Sequence, residues 1–258
     1  MGEQMKVLAI ANQKGGVAKS TLTHHLVWAA RTAGKRVLFV ELDSRKISDI
    51  AFPPSTNGIV ASEVFAGVVP TFDDLEHFED GLSIIRADSL KLVRESDRAD
   101  YSTIPNLRKA LAALAPHFDF CFIDTPPTLS LRLDAALVAA DFVVTPINIG
   151  AFEIAGMSDL LETIQTVQTG DLNPDLKHIG IVAVNFNTRS ADEMGALEQM
   201  PKMYGKAFLS KALLPARAAV NRASAMGVPV WKSARGESHR EAAKEWRNAC
   251  AEILKRMK

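Results

Sequence analysis

Residues 6–21 read Lys6-Val7-Leu8-Ala9-Ile10-Ala11-Asn12-Gln13-Lys14-Gly15-Gly16-Val17-Ala18-Lys19-Ser20-Thr21, and this order decides the fold. Lys6–Ala11 is a short apolar run, as in a strand buried on both faces. A Gly-rich turn follows, and Ser20–Ala33 then has the spacing of a helix. A strand, a glycine turn and a helix N-terminus bring backbone N–H groups together around an anion. Gly15 and Gly16 remove side chains, so the backbone can approach phosphate closely. In this setting Lys19 is expected on β- and γ-phosphates, with the Ser20 hydroxyl on Mg²⁺. The alternative is a Gly/Lys-rich turn that only caps a helix. The generic G-x-x-x-x-G-K-[ST] pattern is not met, because Gln13 and Ala18 stand where both glycines belong.

Outward from this stretch, apolar runs and amphipathic segments alternate. Strands are expected at Lys6–Ala11, Arg36–Leu42, Leu82–Arg86, Phe118–Asp124, Asp141–Pro146 and Ile179–Asn185. Helices are expected at Ser20–Ala33, Ile104–Ala115, Leu129–Ala139, Glu153–Thr169, Ala191–Tyr204 and Glu237–Met257. The alternation predicts an α/β fold: a doubly wound, mainly parallel sheet with helices on both faces. Ala51–Phe78, with Pro53-Pro54, reads as a loop with short helical pieces. No repeat or linker interrupts the chain, so residues 1–258 are expected to form a single domain. In the last helix, Ala243, Trp246, Cys250, Ile253 and Met257 form a stripe of the kind that packs into a core.

The 258 residues are 47% apolar and 23% charged, the balance of an ordinary globular protein. No apolar run approaches the length of about 18 residues needed to span a membrane. Two cysteines, Cys121 and Cys250, form no C-x-x-C pair, which excludes a disulfide framework and a thiolate zinc site. A reduced, cytoplasmic setting is expected. The formal net charge is zero, but residues 202–258 hold 13 Lys/Arg against four Glu. That basic segment reads either as a patch for a polyanion or as solvated helix faces.

Phe120-Cys121-Phe122-Ile123-Asp124-Thr125-Pro126-Pro127 is an apolar strand ending in a carboxylate. Beside a phosphate loop, Asp124 occupies a ligand position for Mg²⁺. An aspartate there can also be a simple turn former.

Lys14-Gly15-Gly16-Val17-Ala18-Lys19-Ser20-Thr21 resembles the deviant Walker A motif of the ParA/MinD family, K-G-G-x-G-K-[ST]-[ST]. The resemblance implies ATP and Mg²⁺ as ligands, with residues 14–21 around the nucleotide. It also implies that the signature lysine, Lys14, reaches the nucleotide of the other subunit in a dimer. Ala18 departs from the family's glycine, and the departure matters only if the backbone there needs positive φ. Phe120–Pro127 resembles the family's Walker B. Val40-Glu41-Leu42-Asp43 is similar to its D-x-D strand end, with Glu41 in place of the first aspartate. Asp43 takes the position that orients the attacking water. The following Ser44-Arg45-Lys46-Ile47 departs from the family's first switch. Ser130–Pro146 with Phe152-Glu153-Ile154-Ala155-Gly156 resembles the region after Walker B. Asn185 and Pro215 match the segments around the base.

The resemblance covers nearly the whole chain and implies the short ParA/Soj-like form, without an N-terminal helix-turn-helix. It implies a slow ATPase of plasmid or chromosome partition. Such a protein is an ATP-dependent homodimer, is nucleoid-associated, binds DNA non-specifically and is stimulated by a ParB-type or centromere-binding partner. Arg217 and Arg222 are the first candidates for DNA contact, followed by Arg189, Lys211 and Lys232. Related ATPases that position a protein complex or conjugation apparatus are the alternative. A MinD-like membrane regulator would need a basic amphipathic tail beyond the last helix, and no membrane partner is expected.

Overall fold

The computed structural model describes residues 4–44, 48–54, 58–88, 91–92, 100–150 and 157–258. Among these, the strands are β1 (Lys6–Ile10), β2 (Val37–Glu41), β3 (Glu76–Phe78), β4 (Leu82–Ile85), β5 (Phe120–Asp124), β6 (Phe142–Asn148) and β7 (Lys177–Val184). They form one sheet in the order β3-β4-β2-β5-β1-β6-β7. All pairs are parallel except β3–β4 at one edge. The helices are α1 (Lys19–Thr32), α2 (Ser48–Ala51), α3 (Ala61–Phe65), α4 (Ile104–Leu114), α5 (Leu131–Ala139), α6 (Met157–Thr169), α7 (Ala191–Tyr204), α8 (Ala218–Ala225) and α9 (Glu237–Arg256).

Side chains alternate across a strand, so each central strand feeds two cores. Val7 and Ala9 of β1 pack with Leu111 of α4, Ala135 of α5 and Ile164 of α6 on one face. Leu8 and Ile10 pack on the other with Leu26 of α1, Val220 of α8 and Ile253 of α9. With both faces covered, the strands have no solvent side and read as unbroken apolar runs. Burying a side chain such as Phe122 or Ile253, both fully enclosed, stabilises the fold by roughly 2 kcal/mol each.

The six expected strands are present, and the last expected helix ends at Arg256. Residues 153–156 of the expected Glu153–Thr169 helix, and the Phe152–Gly156 segment with them, lie outside the described residues, as do Arg45, Lys46 and Ile47. The Ala51–Phe78 reading needs correction. The segment holds α3 and a short turn at Phe72–Asp74, but it ends in an antiparallel edge strand. That strand turns back at Asp80 and Gly81, both at positive φ. Its first residue, Glu76, is buried and carries an ion pair to Arg86 at 2.5 Å. Helix α8 is a further element that the apolar spacing does not predict.

β5 lies at the centre of the sheet, flanked by β2 and β1, so the carboxyl ends of β1, β2 and β5 meet at one edge. Ile10 pairs with Asp124, and Glu41 pairs with Asp124. In open α/β sheets this edge is where ligands bind.

Candidate functional site

The loop leaving β1 is shaped by its own polar side chains. Asn12 Nδ2 donates to the Pro146 carbonyl at 2.7 Å, and Asn12 Oδ1 accepts from the Lys14 N–H at 2.9 Å. This ties the loop entry to β6. Gly16 (φ 75°) and Ala18 (φ 55°, ψ 24°) are both left-handed. The position where glycine is usual therefore does need positive φ, and alanine costs about 1 kcal/mol there. Val17 is buried and anchors the loop in the core. A Cβ added at Gly15 or Gly16 would meet no protein atom within 4 Å, so the loop faces open space. Lys19 is buried at the start of α1, and its Nζ donates to the Lys14 carbonyl at 2.8 Å.

A cavity of about 250 Å³ lies against this loop. Residues 16–21 line it together with Asn185, Val220, Asn221 and Trp246. Loop N–H groups and a buried ammonium at a helix start suit a phosphate chain. Asn185 (φ 54°) sits just past β7, and its Nδ2 donates to the Gly16 carbonyl at 3.1 Å. The Asn185 N–H donates to the Leu214 carbonyl at 2.8 Å. Pro215 follows Leu214 and is buried, but does not line the cavity.

Three carboxyl groups gather behind the loop. Asp124 is buried and its carboxyl is hydrogen-bonded to Ser20, while Oδ1 has no hydrogen-bond partner among the described residues. Burial pushes its pKa up to about 7. The Ser20 hydrogen bond opposes the rise, and the nearby Glu41 and Asp43 charges add to it. Glu41 is likewise raised by burial, against hydrogen bonds from Ser48. Asp43 is buried two residues beyond β2. Ser20 and Asp124 thus supply two hard oxygens with one lone-pair site open, which fits Mg²⁺. Among the described residues no cluster of three His, Cys, Asp or Glu could form a protein-only metal cage. Mg²⁺ does not require one, since it takes few protein ligands and completes its shell with phosphate and water.

The basic candidates are dispersed. Arg217 is held by α9: Nη2 meets Glu245 at 2.5 Å and Glu241 at 3.1 Å, and Nε meets Glu245 at 3.1 Å. Arg222 is exposed on α8, and Arg189, Lys211 and Lys232 are exposed on other surfaces. Arg189 and Arg217 share a groove with Arg240 and Lys244, but Glu237 and Glu241 line it too.

The structure brings Lys19, Ser20 and Asp124 to one place, as their motifs imply. The motifs do not single out Asn12 as the residue that shapes the loop, although an Asn that can accept from the N–H two residues on is a signal for such bonding. Asn221 and Trp246 beside the cavity are also missed, because neither lies in a motif.

Residues 5–178 match a family model described as an AAA domain. The chain is 32% identical over 262 residues to a protein IncC of Escherichia coli, covering 99% of this chain and 71% of that one. It spans 63% of the length of a second IncC, at 30% identity. It is 30% identical over 236 residues to the chromosome partitioning protein ParA of Caulobacter vibrioides, covering 88% of this chain and 86% of the relative. A solved cobyrinic acid a,c-diamide synthase of Mycobacterium smegmatis, with bound ATP analogue and magnesium, superposes with a TM-score of 0.75 at 27% identity. That match covers 97% of this chain and 95% of the other.

Proposed function

The chain belongs to the ParA/MinD family of P-loop ATPases, and we propose that it is an ATPase of plasmid or chromosome partition. Its support is the loop itself: Lys19 and Ser20 at the start of α1, with the Asp124 carboxyl on the Ser20 hydroxyl. A relative named as a chromosome partitioning protein points the same way.

On this reading residues 1–258 act as one domain. Residues 14–21 cradle the phosphates of ATP, and Lys19 gives up the Lys14 carbonyl for β- and γ-phosphate oxygens. Ser20 and Asp124 would hold Mg²⁺, which would neutralise phosphate charge and favour the ionised form of the Asp124 carboxyl. Asp43 orients the attacking water. Asn185 and Pro215 belong to the nucleoside side. Lys14 reaches the nucleotide of a second copy, so ATP holds a sandwich dimer together. The dimer binds DNA without sequence preference through the basic C-terminal region, on the nucleoid in the cytoplasm. A ParB-type or centromere-binding partner speeds an otherwise slow hydrolysis and releases the dimer. Bound γ-phosphate thereby acts as a switch for dimer and DNA together. The test is phosphate release from ATP by the purified protein, with and without DNA and with and without a ParB-type adaptor protein. Stimulation supports the reading. Turnover that ignores both additions contradicts it.

A further inference from the structure

Arg132 stands in the first turn of α5 and is 7% exposed. Both features work against a cation. Burial strips water from the guanidinium, and the first turn of a helix presents N–H groups that favour negative charge. An apolar side chain would serve the packing of α5 at lower cost. The guanidinium has to be explained by what it meets across the core, at the carboxyl end of β2.

It meets the backbone next to Asp43. Arg132 Nη1 donates to the Leu42 carbonyl at 2.9 Å, in a buried hydrogen bond. The Leu42 N–H donates to the Asp124 carbonyl, also at 2.9 Å. β2 ends at Glu41, so this second bond ties the chain to β5 just after the strand has ended. Leu42 is thus gripped on both sides, by β5 through its N–H and by α5 through its C=O. The Leu42 carbonyl and the Asp43 Cα belong to one planar peptide unit. Holding that oxygen limits where the Asp43 Cα, and hence its carboxylate, can sit. Glu41, Asp43 and Asp124 are all buried at these strand ends, so the guanidinium brings a positive charge to a place with three carboxyl groups.

A bond that only tied α5 to the sheet would act on stability and leave hydrolysis per folded molecule unchanged. This bond falls on the peptide of Asp43 itself, which points to a second effect. We propose that Arg132 is a positioning residue for hydrolysis: through the Leu42 carbonyl it sets where the Asp43 carboxylate stands. It is assigned no contact with the nucleotide. The proposal rests on the reading of Asp43 as the group that orients the attacking water.

The test is a double-mutant cycle of Arg132 with Asp43. It is read by single-turnover phosphate release with protein in excess over ATP, in Mg²⁺, beside calorimetric ATP affinity. Arg132→Met fills the core position without a donor. It should slow hydrolysis about tenfold, a fraction of the roughly 100-fold that a misplaced catalytic group can cost, and leave ATP affinity unchanged. In an Asp43→Ala background the same substitution should have no further effect, because the group that Arg132 places is gone. A purely structural role would instead act equally in both backgrounds, or on melting temperature alone. If Arg132→Met does not fold, Arg132→Lys keeps a charge and a donor, and its smaller loss of rate should vanish without Asp43 in the same way. A parent-like rate in every folded Arg132 variant, or the same fractional loss with and without Asp43, overturns the proposal. An Asp43→Ala protein that hydrolyses at the parent rate instead overturns the water-orienting reading beneath it.

Discussion

The Lys19 ammonium sits on the carbonyl oxygen of Lys14 at 2.8 Å, so the loop satisfies its own buried cation. A nucleotide must replace that oxygen with phosphate oxygens, and charge-assisted hydrogen bonds to phosphate are the stronger ones. Lys19→Ala removes them. ATP affinity measured by calorimetry should fall by about 100-fold, as expected for losing two such bonds. Affinity equal to the parent's would remove the phosphate-loop assignment.

Ala18 occupies left-handed backbone at φ 55°. Ala18→Gly relieves that strain and should raise unfolding stability by about 0.5 kcal/mol, after the extra chain entropy of glycine is counted. Denaturant unfolding of the two proteins checks this. A less stable glycine variant would show that the strain is compensated elsewhere.

These two residues also show what can be read in advance. Lys19 is legible because its role follows from strand, glycine turn and helix in sequence. The backbone angle at Ala18 is not, because alanine fits either conformation until the loop is built. Val7 through Ile10 announce a central strand because both faces are buried. Glu76-His77-Phe78 does not announce β3, since a three-residue polar edge strand is held by tertiary contacts such as Glu76 with Arg86. Glu41 and Asp124 meet only through the strand order. Arg217 finds Glu241 and Glu245 only because α9 packs beside it. Trp246 belongs to a core stripe, and its buried ring bears that reading out.

Lys14 and Asp43 should separate binding, dimerisation and hydrolysis. Lys14→Ala should bind ATP as a monomer. Asp43→Ala should bind ATP and dimerise but hydrolyse about 100-fold more slowly, the usual worth of positioning a proton acceptor. Light scattering with ATP and Mg²⁺, beside a phosphate-release assay, reads all three. An ATP dimer that survives without Lys14, or parent-rate hydrolysis without Asp43, contradicts the assigned roles.

Acid should loosen the fold through its buried histidines. Burial lowers His24, His25 and His178 from 6.5 to about 4. The native state holds them neutral, and His25 uses Nε2 as an acceptor, which protonation forbids. Their contribution is full above pH 6.5 and is lost as pH falls towards 4, on the order of 3 kcal/mol each at the extreme. Asp124, raised to about 7, acts with the opposite sign between 7 and 3.8 and offsets only part. Unfolding stability should therefore drop between about pH 7.5 and 5. Stability that is flat or rising over that interval would show that the histidines open to solvent without cost.

Arg222 should matter more than Arg217 for a polyanion, because Arg217 already faces Glu241 and Glu245. Arg222→Ala should weaken unrelated duplexes alike and lower the salt slope by about one for each phosphate that Arg222 neutralises in the parent. Arg217→Ala should act first on the packing of α9 and show as lower thermal stability. A larger DNA effect from Arg217 would mean that the ion pairs open on binding.

The measurement that bears most directly on partition by an ATP-gated DNA clamp is a duplex titration across salt with Mg²⁺, run once with ATP and once with ADP. With ATP, two unrelated duplexes should bind with equal affinity, and log affinity should fall linearly with log salt as counterions are released. With ADP, binding should be lost. No DNA binding with ATP at low salt, or the same binding with either nucleotide, would contradict the account.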